Sequence, residues 1–484
     1  MKKKSLGINA FLNGFRSVLN LLFPLITFPY VSRILQASGT GKYNFANSIV
    51  SYFLLIAALG VTNYAVREGA KLRDDRQKIS EFASQVFTIN MISTLISYVL
   101  LFLSLIIFKK LQFYTVAILI FGLQIFFTTI GVEWIYTIFE DYAYITIRSI
   151  IFKIISMILL FIFVRQRSDY LNYVAITVFS TVGSNILNYF HAKSFCDIRI
   201  TFKIDWKQHL KPILVIFATG IATQIYVNSD ITILGILKND YLVGIYSVSS
   251  KIYAIVKSLV QAIVVVAVPR LSMLLGKRET RQFRFLLSKV TNSLAMFTFP
   301  VTVGLYMLAP QVIDIISGKG YLRGVSSLRL LCPALLISVF SWILAYCVLL
   351  PAKRENKFFI SAVVSAILNI SLNFVLIPLM AENGAAITTT IAELVMLIMI
   401  IFYCKDILRG VYNLEFLRDI VSYFFGSVAI IGTCLISNGV SQSVFVQVTV
   451  SVVLSAIAYG LVLVVCGNSM IYSFINDFKK KGSV

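Results

Sequence analysis

Asn9, Asn13, Arg16 and Asn20 stand at spacings of four, three and four residues, and Thr219, Thr223, Tyr226 and Asp230 repeat those spacings later in the chain. Such spacing puts each set on one face of a helix. Ser247, Ser250, Lys251, Lys257, Ser258 and Gln261 make a broader polar face, and Arg148 and Lys153 lie in a further apolar stretch. The five bases Arg16, Arg148, Lys153, Lys251 and Lys257 outnumber the acids in comparable apolar surroundings, Glu133, Asp230 and Glu393. Surplus positive charge among asparagines and hydroxyls suits an anionic, oxygen-rich ligand, because arginine offers a fork to phosphate oxygens and lysine a point charge. Two other readings of the same residues stay open. Matched polar stripes also tie helices together in a dry bundle, and the charges can pair internally, Arg16 with Asp230 and Arg148 with Glu133. Pro24 and Pro29, in the first apolar stretch, free backbone groups and mark either a hinge that gates a cavity or a static kink.

These residues sit in a chain of 484 residues that is 58% hydrophobic and only 13% charged, about half the charged share of a soluble domain. Apolar runs long enough to cross a bilayer core of about 30 Å recur from end to end. The expected fold is an all-α polytopic membrane protein of about fourteen transmembrane helices. A net charge of +22 does not point to nucleic acid, since the bases gather in short loops between spans. Most of the 43 Lys and Arg fall on one side if both termini are cytoplasmic, which sets the orientation. Lys2-Lys3-Lys4 before a run broken by Asn9, Asn13 and Arg16 reads as an uncleaved first span. The six cysteines and two histidines are too scattered for a disulfide frame or a zinc site.

The chain also repeats itself. Ile34-Leu35-Gln36 leads to Gly41-Lys42-Tyr43, and Ile236-Leu237-Lys238 leads to Gly244-Ile245-Tyr246, about 203 residues on. Spans one and two thus correspond to seven and eight, and the halves are parallel repeats. The expected organisation is an N-terminal six-helix bundle over 1–192, a cytoplasmic linker over 193–210, a second six-helix bundle over 211–404, and two additional helices with a basic tail over 405–484. The basic linker suits either an amphipathic segment on anionic headgroups or a solvated connection.

One stretch, Asn369 to Glu393, combines Asn369 and Asn373 on one helix face, Pro378 closing a helix, Asn383-Gly384 as a reversal, Ala385-Ala386 opening the next helix, and Glu393 inside it. With Gly41-Lys42-Tyr43, with Gly131-Val132-Glu133-Trp134 followed by Glu140, Tyr144 and Arg148, and with the copy at Gly244, it resembles the bacterial polysaccharide repeat-unit flippases of the Wzx type. These are relatives of the multidrug-and-toxin exporters and the lipid II flippases. Thr388 stands where that pattern more often has alanine. The resemblance implies a cytoplasmic-membrane flippase, not an enzyme, that moves undecaprenyl-pyrophosphate-linked oligosaccharides outward by alternating access, for export of surface polysaccharide such as O-antigen or capsule. The pyrophosphate would lie among the bases, and the sugars against groups such as Asn13 and Asn20. Membrane lipids, the polysaccharide polymerase and the glycosyltransferases are implied partners. No cofactor is expected; Asp230, Glu393 and Glu133 are the positions for a coupling proton or sodium ion. The alternatives are a lipid II flippase, an ion-coupled multidrug exporter, for which the basic excess is unfavourable, and a membrane-embedded polymerase, for which the outer loops are short.

Overall fold

The computed structural model describes residues 6–437 and 443–472, and only the backbone at 6–13, 15–22, 219, 222, 223, 262, 263, 265 and 266. Regular structure among the described residues is helical throughout. Contacts divide the chain into two compact units, Met1–Gly244 and Ile245–Val484. The first unit contains α1 (Leu6–Ala58), α2 (Arg76–Ile107), α3 (Thr115–Ile130), α4 (Glu133–Ile138), α5 (Tyr142–Phe163), α6 (Tyr170–Val182), α7 (Asn185–Ala192) and α8 (Trp206–Leu237). Helix α9 (Asp240–Gly276) leads into the second unit, which continues with α10 (Thr280–Met307), α11 (Val325–Leu344), α12 (Glu355–Leu408), α13 (Leu414–Ser437) and α14 (Val444–Val465). Among the described residues, nine helices are long and apolar enough to cross a membrane. Two of them, α1 and α12, each join two helices across a break, at Gln36 (φ 56°) and Ala381 (φ 51°). With α3–α4 and α6–α7 each forming one interrupted crossing, and α8 one more, the chain makes about fourteen spans.

The break in α12 falls elsewhere than Pro378 and Asn383-Gly384 suggest. Pro378 lies inside the helix, and the left-handed residue is Ala381. The Thr388 hydroxyl donates to the Asn373 side-chain oxygen at 2.5 Å. Fifteen residues of unbroken helix would hold these two about 22 Å apart, so the chain must double back between them. Asn373 also donates to Asn369 at 3.1 Å, and the two asparagines clasp the returning helix. Gly384 serves close packing instead of the turn: a Cβ there would collide with the Leu376 carbonyl.

The sequence repeat has a physical counterpart. A Cβ at Gly41 would collide with the carbonyl of Asp240, and a Cβ at Gly244 with the carbonyl of Ala37. Each repeat glycine therefore rests on the backbone four residues before the other.

The segment after α7 is held through its backbone amides, while most of its side chains stay exposed. It is extended from Cys196 to Asp205 and lies along α2. The amides of Asp197, Arg199 and Thr201 donate to the hydroxyls of Ser80, Ser84 and Thr88 at 2.9, 3.2 and 3.0 Å. Two extended residues advance about 6.6 Å and four helical residues about 6.0 Å, so the two repeats stay in step for three rungs. Beyond them, Asp205 donates to Gln85 Oε1 at 2.9 Å, and His209 Nε2 lies 3.0 Å from the same oxygen. An oxygen can only accept, so Nε2 carries a hydrogen, and in the neutral ring Nδ1 accepts from the Tyr64 hydroxyl at 2.6 Å. That arrangement needs a neutral ring, and burial holds the His209 pKa below its ordinary value.

Two stability outcomes follow from this packing. Gly244→Ala should cost about 1–3 kcal/mol through overpacking, read as a lower unfolding temperature in detergent, whereas Gly304→Ala, with open space around it, should not. Arg199→Pro removes a rung donor and should expose the 196–205 segment to protease, while Arg199→Ala should leave it protected.

Candidate functional site

A cavity of about 560 Å³ opens in the first unit, lined from α1 to α8 by polar groups that include Asn90, Gln124, Asn185 and Gln224. It brings together three residues singled out by sequence, Glu133, Arg148 and Lys153. Glu133 begins α4 immediately after Val132, which adopts left-handed φ, 38°. A carboxylate in a first helical turn is favoured by the helix dipole. The turn is held by Asn185, whose amide donates to the Phe127 carbonyl at 2.9 Å; it lies so close that a Cβ on Gly131 would meet it at 2.6 Å. Thus the Gly131-Val132-Glu133-Trp134 motif is a shaped break between α3 and α4 that aims one acid at the cavity.

Arg148 is 8% exposed and places Nη2 2.9 Å from Glu133 Oε1, which is 42% exposed. Its guanidinium also lies 6.0 Å from the Tyr144 ring centre. Lys153, on the same helix α5, lies 5.9 Å from the Phe23 ring centre, at the outer limit of cation–π attraction. Two cations and one carboxylate line this space, which leaves it with an excess of positive charge.

The other expected residues divide among several places. Lys257 and Glu393 form a pair in the second unit, with Nζ 2.7 Å from Oε1, the carboxylate being 4% exposed. The Tyr253 hydroxyl accepts from Lys257 at 3.3 Å and donates to Glu393 at 3.4 Å. Lys251 is partly buried on the same helix, α9. Asp230 is buried on α8, whose polar face bonds to α1: Tyr52 and Thr232 share a hydrogen bond of 3.1 Å, and Thr232 donates to Ser48 at 3.1 Å. Interhelical bonding therefore takes up part of that stripe, while Gln224 faces the cavity. Pro24 and Pro29 lie in helical backbone, and the break in α1 comes later, at Gln36. Asn13, Arg16 and Asn20 lie outside the described side chains.

Three features escaped the sequence reading. The partner of Glu393 is Lys257, far away in the chain. Glu382, which the sequence reading did not single out, is buried and paired with Arg323 at 2.6 Å. Asn90, Gln124 and Asn185 were visible as single polar residues in apolar runs, but no spacing linked them. Among the described residues no group of His, Cys, Asp or Glu could hold a metal ion. Breaking the buried pair tests its weight. Glu393→Gln should destabilise the detergent-solubilised protein by about 3–5 kcal/mol by stranding Lys257, and a Lys257→Met, Glu393→Met double variant should recover most of that loss. A double variant as unstable as the single one would show that the two charges are not coupled.

Comparison with known proteins fits this architecture. The chain is 24% identical over 398 residues, 80% of its length and 94% of the relative's, to a protein assigned as an O-antigen transporter in Escherichia coli (strain K12). A similarly assigned protein of Shigella dysenteriae is 24% identical over 394 residues, 79% of this chain and 96% of its own. The fold is similar to that of the lipid II flippase MurJ in an inward closed conformation, with a TM-score of 0.73 at 17% identity over 94% of this chain and 98% of that one. It is also similar to an inward-facing multidrug resistance transporter of the MATE family, with a TM-score of 0.62 at 15% identity over 81% and 94% of the two chains. The sequence model of the polysaccharide biosynthesis protein family matches residues 6–275, more than half of the chain, and the protein belongs to that family.

Proposed function

We propose that this protein is a flippase that carries undecaprenyl-pyrophosphate-linked oligosaccharide repeat units from the inner to the outer leaflet of the bacterial cytoplasmic membrane. It is a multi-pass transporter, and both termini face the cytoplasm. The observation that carries the reading is the cationic cavity: Arg148 and Lys153 meet one carboxylate among neutral polar groups, in a chain of the polysaccharide biosynthesis protein family. Ionised groups at such depth are costly and mark substrate paths. Pyrophosphate oxygens suit the guanidinium fork and the ammonium, and sugar hydroxyls suit Asn90, Gln124, Asn185 and Gln224.

The ion pair gives transport a physical handle. A pyrophosphate that takes Arg148 must displace Glu133, which is then free to accept a proton or a sodium ion. Lys257 and Glu393 offer a second such exchange, and Asp230 a third carboxylate. Arg16, Asn13, Asn20 and Lys251 are the further residues assigned to the cargo in this reading, Pro24 and Pro29 supply compliance in the first span, and the polymerase and glycosyltransferases act before and after it.

The decisive experiment depletes the protein and tests lipid-linked oligosaccharides with a membrane-impermeant sugar-modifying reagent. Complete repeat units that accumulate and stay inaccessible would support the flippase. Accessible single units would point to a polymerase, peptidoglycan precursor to lipid II transport, and drug sensitivity without accumulation to a multidrug exporter. Arg148→Ala and Lys153→Ala should each slow export roughly ten- to a hundredfold, the size of a lost charge-assisted bond, with normal membrane insertion. Arg16→Ala should act alike, and Asp230→Asn should make transport insensitive to collapse of the ion gradient; unchanged export in each case removes that residue from the path.

A further inference from the structure

A second cavity, of about 490 Å³, lies in the second unit where the first turns of α10 face the 410–416 segment and Ser469. Arg281, Arg284 and Lys289 line it, with Glu415 the single carboxylate among its walls. Among the described residues none of these three bases forms an ion pair with a side chain. Helix α10 starts there without a side-chain cap, since Glu279 makes no such bond, and its first turn, which carries the positive dipole end, lines the space through Thr280 and Arg281. Gly410 has φ 77°, and the position a Cβ would take there lies 3.4 Å from Arg284 Nη1. A side chain at 410 would crowd the guanidinium.

The floor is rigid and already satisfied. Asn292 donates to Asp419 at 2.6 Å and accepts from the Tyr423 hydroxyl at 2.7 Å. Asp419 is buried and also accepts from the Ser469 amide at 3.0 Å and from its hydroxyl. The one deep acid nearby is therefore consumed from within and does not neutralise the arginines. The rim is apolar: Phe285, which lines the cavity, is 71% exposed, and Leu414, at the start of α13, is 85% exposed. A cationic pocket edged by exposed apolar side chains matches the boundary between headgroups and acyl chains.

We propose that this cavity is a binding site for a phosphate-bearing anion, supplied by the headgroup of an anionic phospholipid in the adjoining leaflet. The site is separate from the cargo cavity and does not depend on the transport reading. Arg281 and Arg284 grip the phosphodiester oxygens, Lys289 adds charge, and the acyl chains run past Phe285 and Leu414. The lipid fastens α10 to α13, so that the two added C-terminal helices are held by a third party as well as by direct packing.

The test uses the full-length protein in nanodiscs of phosphatidylcholine doped with phosphatidylglycerol, with lipid retention read by native mass spectrometry after mild detergent extraction. The wild type should retain phosphatidylglycerol over phosphatidylcholine. The triple variant Arg281→Gln, Arg284→Gln, Lys289→Gln should bind it roughly a hundredfold less tightly, and Glu415→Gln roughly fivefold more tightly, each surface charge being worth about a factor of five. The gain in the Glu415 variant guards against misfolding as the cause of the loss. Equal loss in Lys203→Gln, Lys207→Gln, which alters exposed bases elsewhere, would reduce the effect to net charge and overturn the site. Displacement of the lipid by millimolar inorganic phosphate would assign the site to a free anion and overturn the lipid source.

Discussion

A charged side chain in hydrocarbon must be answered before its helix can settle there, and this chain answers its charges across helices. Arg148 on α5 meets Glu133 on α4, Lys257 on α9 meets Glu393 on α12, and Arg323 meets Glu382 at the break in α12. Each pair fixes the relative height of two elements that apolar packing alone would let slide, because lipid offers no hydrophobic penalty against sliding. The asparagine clasp in α12 and the two repeat glycines do the same with neutral groups. Tight backbone approach and matched polar groups together set the register of the bundle.

The same economy bears on the exchange proposed for the first-unit cavity. A pair that holds helices in place is also a pair that a phosphate can enter. The Glu133–Arg148 contact is the better suited to that exchange, because its carboxylate is 42% exposed towards the cavity whereas Glu393 is 4% exposed. The buried pair in the second unit is the harder of the two to open. Position, more than residue type, separates the two.

Much of the architecture was legible because apolar runs measure a bilayer directly, and because the repeat at Gly41 and Gly244 is written in residues that a close backbone contact demands. The break at Ala381 was not legible. Alanine carries no local preference for left-handed backbone, so the turn is set by where Thr388 must meet Asn373. Lys257 with Glu393 was hidden for a related reason: a sequence shows which helices carry charge, but not which helices touch. Arg148 with Glu133 was anticipated as one alternative, since the two lie fifteen residues apart on neighbouring elements. The docking of the linker was hidden because its bases and aromatics say nothing of its amides, which find partners in Ser80, Ser84 and Thr88.

That ladder is read through the backbone, not through side chains. Three hydroxyls on α2 recognise only that an extended chain passes with its amides turned inward. The rungs therefore make no demand on the side chains at 197, 199 and 201, which can change in charge and size while the docking persists. The burden falls instead on α2, where three small hydroxyl residues must keep their four-residue interval. A segment that looks variable can thus be among the most firmly placed, and the constraint that places it is recorded in a different helix.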